Sequence, residues 1–258
     1  MKPSSGKKVV IKVGTGVLTR GDRGELHHAM IARLVQAIAD LTRAGHQCFL
    51  VSSGAVGAGL DAFGLDSRPT EVELLQGCAA VGQASLISIY ETSFAHYQLQ
   101  VAQLLLTHQD LNDAHARTNV TNTLNTLLKF PNIIPIINEN DSVATYELKV
   151  GDNDTLSSEL AQLIGADLLV LLTTVPGLRS PEAKGDFDII TEVDDVDDVM
   201  SFASDEKGKL SMGGMASKLQ AVKSAVDAGI ETIIASGTHP EQLPDLVDGH
   251  GVGTRFTI

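Results

Sequence analysis

A chain of 258 residues with 43% hydrophobic content is long enough to bury a full core, and at about 100 to 200 residues per domain one large domain fits better than two small ones. Its 32 acidic against 19 basic residues give a formal charge of −13; a protein that grips a nucleic-acid backbone needs a basic stripe to displace counterions, so that class is excluded and a small ligand is expected. The N-terminal "MKPSSGKKVVIKVGTG" has no signal-peptide core, no run approaches the ~20 apolar residues of a membrane span, and Cys48 and Cys78, without CxxC spacing, read as reduced buried thiols of a soluble, cytoplasmic protein.

Short β-branched runs alternate with longer segments of helical period, which predicts an α/β fold, an open and mostly parallel sheet between two helix layers. "KKVVIKV" (7–13) reads as a strand. In "HAMIARLVQAIADLTRAG" a helical stripe runs through Met30, Leu34, Ala37, Ile38 and Leu41 and stops at Gly45. "QCFLVS" is a second strand, 71–98 is helical with an interruption near Gly82, "LQVAQLLLT" reads as a buried strand, and 112–129 is a helix that ends before Pro131. "NIIPIIN" is taken as a strand although Pro135 cannot donate to a ladder. Leu156, Leu160, Leu163 and Ile164 form another stripe, and "DLLVLLTTV" is the most strand-like run in the chain. Residues 176–211 are charged and punctuated by proline and glycine, and read as a hairpin, a short acidic helix and a mobile loop. "GGMASKLQAVKSAVDAG" restores a helix, "ETIIASG" a strand, and "GVGTRFTI" a last strand.

Four features of this sequence carry chemistry. The first strand opens into "KVGTGVLT", where Gly14 and Gly16 let backbone N–H groups approach an anion, although the spacing is neither GxGxxG nor a P-loop. Lys12, inside that apolar strand, is costly to bury unless it meets an anion; the alternative is an edge-strand lysine whose head reaches water. "SSGAVGAG" is a second glycine-rich turn after a strand, and two such turns would bring two helix N-termini to the carboxyl edge of one sheet, where open α/β sheets bind ligands. "MGGMASKLQAV" opens a helix with Gly-Gly and places Lys218 in its early turns. Between them Asn138, Glu139, Asn140, Asp141, Asp152, Asn153 and Asp154 gather more carboxyl and amide groups than helix capping needs, as a ligand bearing an amine would require. Eight histidines show no catalytic constellation, and "EVDDVDDV" reads as a solvated helix face rather than a calcium loop.

Together "IKVGTGVLT", "VSSGAVGAG", "PIINENDSVATYELKVGDNDTLSSELA" and "MGGMASKLQAV" resemble the amino-acid kinase superfamily and, within it, the glutamate 5-kinase family, over about residues 7–256. The resemblance implies one amino-acid kinase domain over 1–258, its part to about 165 binding substrate and 166–258 binding nucleotide, without the C-terminal PUA domain that many members carry. It implies Lys12 and Lys218 as phosphate-side lysines oriented by Asp154. Ser53, Gly54, Asp141 and Asn153 are the implied glutamate contacts, with Asp141 facing the α-ammonium. Lys12, Gly14, Thr173, Thr174, Met212, Gly213, Gly214, Met215, Ala216, Ser217 and Lys218 are the implied ATP contacts. The reaction implied is Mg²⁺-dependent phosphoryl transfer from ATP to the γ-carboxylate of L-glutamate, the first step of proline biosynthesis, with Mg²⁺ held by phosphates and water rather than by protein ligands. Feedback inhibition by proline, a homo-oligomer, and glutamate-5-semialdehyde dehydrogenase as a downstream partner are further implications. One departure stands out: Thr174 replaces the acid that relatives place there, which puts nucleotide preference in question. Other members of the fold, such as acetylglutamate kinase, and a non-catalytic nucleotide or amino-acid sensor are the alternatives.

Overall fold

A computed structural model describes residues 6–21, 24–143, 152–182, 188–204 and 214–258 of the chain. In chain order the elements are β1 (Lys8–Val13), the one-turn α1 (Thr15–Leu18), the short strands β2 (Thr19–Arg20) and β3 (Glu25–Leu26), α2 (His28–Arg43), β4 (Gln47–Ser52), α3 (Ala55–Gly59), α4 (Val72–Ala95), β5 (Gln100–Leu106), α5 (His108–Asn112), α6 (Ala114–Leu127) and β6 (Ile133–Glu139). There follow α7 (Asp152–Ile164), β7 (Leu168–Thr173), β8 (Glu192–Val193), α8 (Val196–Val199), α9 (Met215–Val226), β9 (Glu231–Ser236), α10 (Leu243–Val247) and β10 (Gly253–Phe256).

Eight of the strands make one sheet in the order β5-β6-β4-β1-β7-β9-β10-β8. The six from β5 across to β9 are parallel; β10 returns antiparallel to β9, and β8 pairs parallel with β10. Strand alternation sorts β1 between two helix layers. Val9, Ile11 and Val13 enter a core with α2, α4 and α10, whereas Val10 enters a core with α7 and α9. Lys12, two residues beyond Val10, therefore faces α7 and α9. β7, buried at five of six positions, and β1, likewise buried at five of six, form the dry centre, where each full aliphatic side chain contributes roughly 1.5–3 kcal/mol.

Three sequence expectations need correction. α4 runs unbroken through Gly82, because that glycine lets two helices meet: a Cβ on it would lie 1.9 Å from the Ala55 carbonyl oxygen, and one on Gly59 would lie 2.0 Å from that of Cys78. β5 is not a buried strand; it is the outermost strand of the sheet, with only Leu106 buried. By length and composition α4 is apolar enough to cross a bilayer, contrary to the expectation that no run would be, yet it lies on the sheet with Leu75, Cys78, Leu86, Tyr90 and Phe94 buried.

Pro135 lies within β6 between two neighbours. It pairs with Ala102 of β5, and the ladder to β4 begins one residue later at Ile136, so the sheet accommodates the missing donor. Arg179 and Ile189 form a single antiparallel bridge where the hairpin was expected. "EVDDVDDV" is split: Glu192–Val193 is β8, Asp195 caps α8 through the Asp197 N–H at 2.9 Å, and Val196 and Val199 are buried anchors. The loop expected before α9 falls mostly on 205–213, outside the described residues.

Candidate active site

β6, β4, β1 and β7 are neighbours, so the chain leaves the sheet four times along one carboxyl edge. After β1, Gly14 donates its N–H to Leu172 O at 3.2 Å, so this amide serves the sheet rather than a ligand. A Cβ on Gly16 would touch Thr174 Cγ2 at 3.0 Å, which places the first glycine turn against the end of β7. After β4, Ser53 donates its N–H to Val13 O at 3.2 Å, and Gly54 turns the chain into α3 with φ of +105°, a conformation that favours glycine.

Lys12, Asp154 and Lys218 converge at this edge. Lys12 Nζ lies 2.6 Å from Asp154 Oδ1 in an ion pair, and Lys218 Nζ donates to Asp154 Oδ2 at 3.1 Å. All three are buried, at 5%, 2% and 7% exposure respectively. The convergence follows from register: Lys12 pairs with Val51 and Leu171 in mid-sheet, Asp154 lies in the first turn of α7, and Lys218 in the first turns of α9, the two helices that cover that face. Burial alone would push the Asp154 carboxyl up, but the two ammonium groups outweigh it and hold its pKa below the usual carboxylate value. Burial lowers the Lys218 pKa, assisted by the Lys12 charge and opposed by Asp154. Two ammonium groups thus share one carboxylate in a place where water is largely excluded, an arrangement suited to receiving an anion.

The neighbouring residue, Asn153, faces the other way into a chain of amides. Its Oδ1 accepts from the Glu139 N–H at 3.3 Å, and its Nδ2 donates to Ser53 Oγ at 3.0 Å and to Asn138 Oδ1 at 2.9 Å. Asn138 Nδ2 in turn donates to Gln83 Oε1 at 2.8 Å. A single turn of α7 thus holds a cationic cluster on one side and a polar amide network on the other. Asp141 is half-buried in the turn after β6, and Asp152 opens α7. Thr173 ends β7, its carbonyl accepting from Gly237 N at 2.7 Å, and Thr174 is exposed. Gly214 caps α9, Met215 and Ser217 are buried, and Ala216 is exposed. Ser217 Oγ, near the N-terminus of α9, is buried without a hydrogen-bond partner among the described residues. The expected ATP contacts Met212 and Gly213 lie outside the described residues.

Sequence reasoning passed over Gln83 and treated Asn138 only as one member of a cluster. The available signal was polarity at helical spacing, because Gln83 shares the buried face of α4 with Leu86, Tyr90 and Phe94. Both cysteines are free and buried, and burial, partly offset by a Thr42 hydrogen bond, pushes the Cys48 thiol up to about 12, far from a nucleophile's range.

The profile of the amino acid kinase family matches residues 7–236. The glutamate 5-kinases of Salmonella paratyphi B and Salmonella arizonae are each 45% identical over 256 residues, which is 98% of this chain and 69% of theirs. Among solved structures, carbamate kinase from Giardia lamblia bound to AMP-PNP superposes with a TM-score of 0.68 at 19% identity, over 98% of this chain and 99% of that one. UMP kinase from Ureaplasma parvum does so with a TM-score of 0.65 at 12% identity, over 98% and 100%. A profile match across most of the chain, 45% identity to two glutamate 5-kinases over nearly all of it, and an αβα fold with two lysines at one sheet edge lead to one assignment: this chain belongs to the amino acid kinase family.

Proposed function

We propose that the chain is a glutamate 5-kinase, which transfers the γ-phosphoryl group of ATP to the γ-carboxylate of L-glutamate and so opens proline biosynthesis. The observation that carries this reading is the pair Asn153 and Asp154: consecutive residues at the start of α7 that join a cationic cluster to a network of amides and a hydroxyl.

The nucleophile is already an anion at neutral pH, so no general base is needed, in keeping with a site built from ammonium, amide and hydroxyl groups. A γ-carboxylate oxygen attacks Pγ, the bond from Pγ to the β,γ-bridging oxygen breaks, and ADP leaves with that electron pair. Catalysis is then positioning and neutralisation of charge on the transferring oxygens. Lys12 and Lys218 sit on either side of that group, held by Asp154 from collapsing onto other anions. Gly214, Met215, Ala216, Ser217 and Lys218, with Met212 and Gly213, receive the phosphates at the N-terminus of α9, where Ser217 Oγ and the helix dipole favour negative charge. Thr173, Thr174 and Gly14 border the nucleotide on the β7 side. Ser53, Gly54, Asn153 and Asp141 hold glutamate, with Asp141 on the α-ammonium. Mg²⁺, when bound with the nucleotide, neutralises the phosphates; Asp154 is committed to two lysines, which fits an ion held by phosphate oxygens and water.

In this reading the part of the chain to about residue 165 binds glutamate and 166–258 binds nucleotide, in the cytoplasm. Proline competes in the glutamate pocket, the chain works as a homo-oligomer, and a glutamate-5-semialdehyde dehydrogenase takes the acyl phosphate. The test is ATP-dependent acyl-hydroxamate formation with glutamate, aspartate and N-acetylglutamate offered in parallel. Product from glutamate alone is expected; product from another acid moves the substrate assignment, and none from any of them makes the protein a sensor.

A further inference from the structure

We infer that Gln83 is a positioning residue for the glutamate pocket, setting the direction of the amide chain that presents Asn153 and Ser53 to the substrate. The inference rests on the proposed glutamate site. The direction of the chain follows from one atom. The Glu139 backbone N–H can only donate, so the carboxamide oxygen of Asn153 must face it. The Asn153 NH₂ then faces Ser53 Oγ and Asn138, which obliges Asn138 to offer its oxygen there and its NH₂ to the next partner. That partner, Gln83, must accept, and its Oε1 does so at 2.8 Å. With both Asn153 NH₂ hydrogens committed and Ser53 Oγ accepting one of them, the hydroxyl hydrogen of Ser53 is left to donate to a bound carboxylate.

Gln83 is well placed to impose this. It is 92% buried, its exposure being 8%, and it follows Gly82, whose lack of a side chain lets α4 close onto the Ala55 carbonyl, one residue after the Ser53-Gly54 turn. One end of α4 contact thus fixes the backbone of the turn while the adjacent side chain orients the amides above it. If Gln83 presented no acceptor, an Asn138 N–H would be left unpaired in a buried site and nothing at that end would fix the direction of the Asn138 carboxamide, whose rotated form would set two NH₂ groups against each other at Asn153.

The experiment is steady-state hydroxamate kinetics on the full chain for wild type, Gln83→Met, Gln83→Glu and Asn153→Ala, with glutamate and ATP varied in turn and thermal unfolding recorded for each. Gln83→Met keeps the volume and removes the acceptor; it is expected to raise the glutamate KM roughly tenfold or more, on the scale of one buried donor left unpaired, with kcat and the ATP KM within about twofold. Gln83→Glu presents a carbonyl oxygen in either protonation state and is expected to recover most of the loss. An unchanged glutamate KM in Gln83→Met, or equal impairment in Gln83→Met and Gln83→Glu, overturns the inference while a raised KM in Asn153→Ala leaves the pocket standing. If Asn153→Ala also keeps the wild-type glutamate KM, the pocket assignment itself fails.

Discussion

Asp154 is central to the charge balance of the site, because its carboxylate pairs with two buried ammonium groups. Asp154→Ala removes the carboxylate that both lysines share and is expected to cost about 3–5 kcal/mol in denaturant unfolding, the scale of breaking a buried pair by removing one partner. pH acts on the same residues in two separate windows. The folded pKa of Asp154 lies below its ordinary 3.8, so its stabilising contribution is present above that value and is lost only as pH falls through the folded one. The folded pKa of Lys218 lies below its ordinary 10.5; the unfolded chain binds the extra proton in that interval, so stability contributed by Lys218 rises with pH there while activity falls as the ammonium is lost. With a carboxylate nucleophile and no general base, kcat is expected to be flat across neutral pH and to fall on an alkaline limb below 10.5. A pH–rate profile with an acid limb near 6 to 7, the signature of an unperturbed histidine base, would contradict this. Lys12 was legible in the sequence because a lysine in an apolar strand asks for an anion, whereas Lys218, which read as readily as a solvated helix lysine, was joined to it by the family resemblance. Gln83 was passed over, since its only signal, a polar residue on the apolar stripe of α4, gains meaning once that stripe proves to be buried.

At the scale of elements, two glycines, Gly82 by its close packing and Gly54 by its backbone angle, shape the turn proposed to border glutamate. Gly82→Ala would drive a methyl group to within 1.9 Å of the Ala55 carbonyl, and backbone cannot yield as a side chain can. We expect a loss of roughly 1–3 kcal/mol or more, as in overpacked cores, together with a raised glutamate KM because α3 and the Ser53-Gly54 turn shift with the helix. Gly54→Ala meets no crowding closer than 3.6 Å; its cost is the φ of +105°, and it is expected to raise the glutamate KM with a smaller loss of stability than Gly82→Ala. Equal thermal shifts in the two variants would count against this division. The helical period of α4 was plain from the sequence, yet Gly82 read as a break, because local propensity disfavours glycine in a helix and is silent about a second helix packed on top of it. In the same way the apolar run of β5 read as buried; its composition gave no sign that it would end as the outermost strand, where neighbours on one side are absent.

For the whole molecule, one arrangement connects fold and chemistry: a parallel sheet whose central strands leave along a single edge, with α7 and α9 bringing an acid and a base from distant parts of the chain over Lys12. Alternation of strand and helix patterns made the αβα class readable in advance, and the glycine turns after β1 and β4 lie at the carboxyl edge where Lys12, Asp154 and Lys218 meet. What the patterns could not give was the pairing of residues separated by up to two hundred positions; that depends on strand order, which places β1 between β4 and β7 and so under both helices. Residues that act on one phosphoryl group as a unit lose rate together rather than independently. The most direct test is therefore the single-turnover rate of phosphoryl transfer at saturating ATP and glutamate for Lys12→Ala, Lys218→Ala and the double variant. Each single change is expected to lower the rate by about 10² to 10³, and the double change by far less than the product of the two. A wild-type rate in either single variant, or losses that multiply in the double, would contradict a shared role for the two lysines.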